Sequence, residues 1–240
     1  LWQLDGQVRA AYAAYDFQSV VRALSEFCGS ELSALYFDVR KDSLYCDLPH
    51  ATRRRACRTV MDAVFERLTI WLAPILAFTT EEAWTTRFPE AGSNHLRIFP
   101  QTPDAWRDDA EAARWAKIDT VLSVVTAALE VERREKRIGS ALDAAPVVWV
   151  ADPALLAAFE GVDAAEVFRS SLAELRAGDG PADAFRVAEI AGVAVEPKLS
   201  EHPKCARSWR RVPDVGADPR YPDLSARDAE AVAWLDANRG

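Results

Sequence analysis

Glycine is scarce in this chain, and its scarcity excludes more than most residues that are present establish. The sequence contains 10 glycines, and none forms a G-x-G-x-x-G cluster or another glycine-rich loop that brings backbone amides to a phosphate. A self-contained nucleotide-binding enzyme is therefore not expected. Long apolar runs are missing as well. The longest, residues 69–78, contains Pro74 and is far shorter than the roughly 20 apolar residues of a membrane-spanning helix. No charged-then-apolar leader suggests secretion. Met61 is the only methionine, and the sequence opens on Leu1; a start in the middle of an amphipathic pattern reads as a piece of something longer. Cysteine is limited to positions 28, 46, 57 and 205. With no export signal, free thiols and a cytoplasmic location are expected rather than disulfides. Positive charge is in deficit, leaving a net charge of −8. That disfavours a protein whose whole surface binds nucleic acid, but not one with a local basic face, because phosphate contacts depend on nearby lysine and arginine.

What is present is mostly helical pattern. Leu1, Leu4, Val8, Ala11, Tyr12 and Tyr15 recur at three- and four-residue steps, one face of a helix. Asp16 is the expected N-cap of a second helix, whose stripe is Val20, Val21, Leu24, Phe27, Leu32, Leu35 and Tyr36. A third helix runs from about Thr52, with Val60, Val64, Leu68 and Leu72 inward, until Pro74 bends or ends it. Thr79 and Glu82 spell a capping box for a short helix that stops at Phe88-Pro89. After a connector over 89–108, a long helix begins near Asp108, with Trp115, Ile118, Val121, Leu122, Val125 and Leu129 buried and Gly139 as its stop. The character then changes. Residues 147–150 (VVWV) read as a buried strand, Pro153 opens a small helix through Phe159, and 185–190 with 193–196 read as a hairpin around Ala191-Gly192. A last helix starts at Ser225. The expected fold is mainly α: a helical bundle with its long connecting helix over 1–140, a small α/β unit over 141–197, and a tail over 198–240.

Three strings are more specific than helix periodicity. They are ELSALYFDVRKDSLY at 31–45, LAPILAFTTEEAW at 72–84 and EKRIGSALDA at 135–144. In this order they resemble the anticodon-binding region of bacterial isoleucine–tRNA ligases, class I aminoacyl-tRNA synthetases. The second string fits the valine enzymes too, so another aliphatic synthetase is the alternative; the first and third favour isoleucine. The resemblance implies an anticodon-binding bundle that recognises isoleucine tRNA, within a monomeric ligase that uses ATP with Mg²⁺. The catalytic and editing domains of such a parent would precede Leu1. The fragment is then expected to hold RNA, to carry no catalytic residue and to need no cofactor.

The same family often ends in a zinc unit with two C-x-x-C pairs. The corresponding positions here are Cys205, Ser208, Ser225 and Asp228. One thiolate and one carboxylate do not make a closed structural site, because a serine hydroxyl holds its proton at neutral pH. A rescue reading recruits His202, three residues before Cys205. A metal-free tail is expected instead, with Ser225-x-x-Asp228 as a helix N-cap and Trp209, Tyr221 and Trp234 supplying apolar packing.

Lys204, Arg207, Arg210 and Arg211 surround Trp209 with no acid among them. Such a run offers phosphate contacts and a stacking face for an unpaired base; its structural alternative is a solvated face over a buried tryptophan. Arg53, Arg54, Arg55 and Arg58 head the third helix, where they either track an RNA backbone or pair with neighbouring acids. Lys41 and Asp42 read as structural, and His50 and His95 as ordinary loop histidines. Two rivals belong to other classes: a helical protein-interaction module with an exposed apolar patch, and an enzyme using Cys57 or Cys205 as nucleophile.

Overall fold

The computed structural model of the chain describes residues 1–238. The fold is mainly α-helical with one small three-stranded sheet. By packing, the chain divides into two compact units: Leu1–Phe37 with His50–Asp108, and Asp38–Pro49 with the residues from Asp109 onward. This division differs from the consecutive segments 1–140, 141–197 and 198–240, because residues 38–49 pack with chain far downstream of them. Among the described residues no helix is long and apolar enough to cross a membrane.

The first unit contains α1 (Trp2–Ala13), α2 (Phe17–Glu26) and a π-helical segment, Phe27–Phe37. Helix α3 (Asp38–Cys46) follows at once but belongs to the second unit; α4 (Thr52–Leu72) and α5 (Ala77–Arg87) return to the first. Asp16 caps α2 as expected, accepting from Ser19 N at 3.0 Å. Leu4, Val8, Val20, Leu24, Ile70 and Trp71 form the core, with Tyr12 and Phe99 against it. The single stripe expected from Val20 to Tyr36 does not hold throughout. Over Phe27–Phe37 the π turns bond i to i+5 and take more residues per turn, and Leu32 is buried there; Val21, within α2 itself, lies off the buried face. Val60 is exposed too.

The capping box at Thr79 is a misreading. Helix α5 begins at Ala77 with no side-chain cap, so Thr79 is already helical and lacks the extended backbone of an N-cap. Thr80 Oγ1 instead donates to Leu76 O at 3.0 Å, and Glu81 accepts from Asn94 N at 2.8 Å.

The second unit is built around α6 (Asp109–Arg134), which buries Ile118, Val121, Leu122, Val125 and Leu129 as expected. Its stop is Lys136 rather than Gly139. Lys136 has φ +58, and the bonds Lys136 N to Arg133 O and Arg137 N to Glu132 O close a Schellman motif. Helix α6 lies against a sheet of order β2-β1-β3, made of β1 (Val147–Val150), β2 (Glu174–Ala177) and β3 (Val193–Glu196). Strand β1 pairs in parallel with β2 and antiparallel with β3. The connection from β1 to β2 carries α7 (Pro153–Ala157) and α8 (Ala164–Phe168). The expected 185–190 hairpin is corrected to a single bridge, Phe185 with Val195: β3 spends its main pairing edge on β1. Helix α9 (Ala226–Ala237) ends the description, with Ser225 as its N-cap.

Gly180 tests the packing at this sheet. It has φ +70, and a Cβ there would lie 2.6 Å from Trp149 Cγ. Trp149 is held in turn by its indole N–H, which donates to Glu196 Oε1 at 2.6 Å. Gly180→Ala should therefore destabilise the second unit by about 1–3 kcal/mol, measured by denaturant unfolding. A neutral result would mean that the indole turns aside freely.

Candidate nucleic-acid interface

The basic run of the tail folds as a tight loop. Lys204 and Arg211 face each other in an antiparallel bridge. Cys205 N donates to Arg210 O at 2.8 Å, and Trp209 N to Cys205 O at 2.9 Å. Trp209 sits at the turn with φ +63, a backbone region that bulky residues rarely occupy. Its side chain is 61 % exposed, and Lys204 Nζ lies 5.4 Å from the ring centroid. Trp209 is therefore not one of the apolar residues that consolidate the tail. That packing comes from Cys205, Leu224 and Ala229, with Val215, Tyr221 and Val232 against them.

The arginines of the run do not all face outward. Arg207 donates to Tyr45 O at 2.7 Å, to Cys46 O at 2.5 Å and to Asp228 Oδ1 at 2.9 Å. Arg210 donates to Ser171 O at 2.7 Å. Arg211 pairs with Asp143 Oδ1 at 3.0 Å, and its backbone N–H donates to Ser171 Oγ at 2.6 Å. Burial works to raise the Asp143 carboxyl, but the bonds from Arg211, Ser140 N and Gly139 N outweigh it and bring the pKa below the ordinary value. Asp143 also closes a capping box with Ser140, which gives the string at 135–144 a structural purpose: it receives the tail. Among the four basic residues around Trp209, only Lys204 is exposed.

In the first unit, Arg53 and Arg54 are half-buried, whereas Arg55 and Arg58 are exposed on the first turns of α4. Their three-residue spacing puts these two on one helix face. Lys41 pairs with Asp38 at 2.5 Å within helix α3, a structural role as expected. His95 Nε2 lies 3.1 Å from Ala77 O. Cys57 and Cys205 are buried, and the Cys205 thiol donates to Asp228 Oδ2; neither has the accessible position that a nucleophile needs.

The residues that sequence reading missed are those behind the loop. Asp228 is fully buried, and its Oδ2 accepts from Cys205 Sγ at 3.2 Å, Ser225 Oγ at 2.8 Å and Arg227 Nη2 at 3.3 Å. Arg227 also forks onto Asp42, at 2.5 and 3.1 Å, and approaches Asp47 at 3.5 Å. Burial works to raise the Asp228 carboxyl, but Ser208, Arg227, Cys205 and Ser225 together hold its pKa at about 2. A signal was available: Arg207 and Arg227 each stand next to a position where the family's ligand is missing.

The family of the anticodon-binding domain of tRNA ligases matches residues 2–148. The isoleucine–tRNA ligase of Caulobacter vibrioides is 68% identical over 240 residues, which are 100% of this chain and 25% of that protein. That of Agrobacterium fabrum is 56% identical over 237 residues, 99% of this chain and 24% of the relative. That of Bartonella henselae is 50% identical over 235 residues, 98% and 24%. The chain thus spans about a quarter of the length of the curated relatives it matches. An anticodon-binding domain is a module that binds tRNA, and helices α1 to α6 with the start of β1 fill the matched range. This chain belongs to the anticodon-binding domain family of tRNA ligases.

Proposed function

We propose that the chain is the tRNA-holding part of an isoleucine–tRNA ligase and grips the anticodon stem and loop of isoleucine tRNA. The names of the similar proteins support the choice of amino acid. The observation that carries the mode of binding is Trp209, exposed at a strained turn beside Lys204. An unpaired base stacks on the indole, and the ammonium meets its phosphate. Arg55 and Arg58 supply a second, weaker phosphate contact, while Arg207, Arg210 and Arg211 act first by shaping the loop. Bond chemistry, with ATP and Mg²⁺, belongs to catalytic and editing domains elsewhere in a cytoplasmic, monomeric parent; no residue here is catalytic, and the chain itself needs no cofactor.

Gel shifts with isoleucine and valine tRNAs test this reading, and binding should favour isoleucine tRNA. Trp209→Ala should weaken affinity by about 1–3 kcal/mol with little change in thermal stability, because most of the ring already faces water. Arg55→Ala and Arg58→Ala should weaken it less and flatten its salt dependence. Unchanged affinity in the Trp209 variant would move the interface elsewhere, and lost stability with unchanged affinity would make Trp209 structural. Equal binding of valine tRNA would favour another aliphatic synthetase.

A protein-interaction role is a second reading for the first unit, because Phe78, Leu96 and Ile98 are more than four-fifths exposed. Loss of self-association or of a protein partner on Phe78→Ser, with RNA binding intact, would support it.

A further inference from the structure

Cys205, Ser208, Ser225 and Asp228, the positions that the resemblance sets against a zinc unit, converge in this fold, but they do not fit the metal. Zinc in a closed site takes four deprotonated ligands. Here one thiol is a donor, two groups are hydroxyls, and both carboxylate oxygens already accept hydrogen bonds. Two guanidinium cations lie within 3.3 Å of the same carboxylate, and their charge opposes a dication.

We propose that a carboxylate–guanidinium cluster of Asp228, Arg207 and Arg227 replaces the metal and staples the Trp209 loop and the start of α9 to helix α3. The four family positions lie only in 205–208 and 225–228, so a metal there would join those two segments and nothing else. The guanidiniums reach further. Arg207 spans from Asp228 to the carbonyls of Tyr45 and Cys46, the last turn of α3, where a cation is favoured by the exposed carbonyls. Arg227 spans from Asp228 to Asp42 on the same helix, with Asp47 close by. Asp47 is itself held by the buried Ser43, whose Oγ donates to it at 2.8 Å. Each fork needs several fixed donors, which a guanidinium has and an ammonium lacks. The cluster thus holds the loop that presents Trp209 from behind, and it does so whether or not that loop contacts RNA.

The test uses the purified chain and three readouts: metal content, backbone amide exchange, and exchange after chelation. The native chain should contain no stoichiometric zinc, and a chelator should leave the exchange of the Cys205, Trp209 and Val212 amides unchanged. Asp228→Asn keeps the size of the side chain but removes its charge, and it should speed exchange at those amides several-fold while leaving β1 protected. Arg207→Lys keeps the charge but not the fork, so it should loosen the same amides, and it remains informative should Asp228→Asn fail to fold. One zinc per native chain, chelator-sensitive exchange, or unchanged exchange in the Arg207→Lys chain would each overturn the proposal. None of these readouts involves tRNA, so their failure is separate from failure of the RNA-binding reading.

Discussion

Asp228→Ala should lower the stability of the second unit by about 3–5 kcal/mol, the usual penalty for removing one partner of a buried ion pair. The Asp228 side chain has no exposure, and those of Arg207 and Arg227 are 21% and 31% exposed. Arg227 keeps Asp42 after the substitution, so the larger loss falls on Arg207, left with two carbonyl partners and no counter-charge. The Cys205 thiol and the Ser225 hydroxyl lose their acceptor as well. Denaturant unfolding measures the difference, and a loss under about 1 kcal/mol, the range of surface pairs, would show that the cluster is solvated. The effect has a pH window with a definite sign. The folded carboxyl is held at about 2, below the ordinary aspartate value of about 3.9. Its stabilisation is therefore complete above about pH 4 and is lost as pH falls toward 2. Native and variant proteins should converge in stability across that acid range.

Trp71→Ala should destabilise the first unit by a similar amount, about 3–5 kcal/mol, through loss of buried area and the cavity that remains. Trp71 is fully buried among Leu4, Val8, Val20, Leu24 and Ile70. Its indole N–H is buried with no hydrogen-bond partner among the described residues, so the ring contributes as a hydrophobic body and not as a donor. Trp71→Phe should consequently lose much less than Trp71→Ala, since it gives up no hydrogen bond. Equal losses for the two variants would mean that the N–H has a partner after all, or that the cavity collapses around either side chain. Tyr12 donates to the backbone carbonyl of Trp71, and that bond survives both substitutions. Trp71 and Trp209 are thus opposites in chemical use: one is packing material, and the other is presented to solvent.

Much of the fold was legible in order and period. The N-caps at Asp16 and Ser225, the end of α4 before Pro74, the buried stripe of α6 and strand β1 all depend on residues close in sequence. Strand β2 was not legible, because Glu174-Leu175-Arg176-Ala177 has no β-branched residue and is a strand only by its parallel pairing with β1. The caps of α5 and α6 were misplaced for a related reason. Thr79 and Gly139 have the right chemistry for a cap and a stop, but the backbone had already turned at Pro74 and Lys136.

By itself the sequence determined the helical class, the family and the run of basic residues around Trp209. It could not determine which of those arginines face outward. Arg207 meets the end of α3 across 161 residues of chain, and Arg227 meets Asp42 across 185. A guanidinium on a loop has the same local signature whether it waits for a phosphate or is already paired. Only tertiary packing brings the buried carboxylate of Asp228 within hydrogen-bond reach, and at that distance, away from water, the charge pair overrides the preference of arginine for solvent.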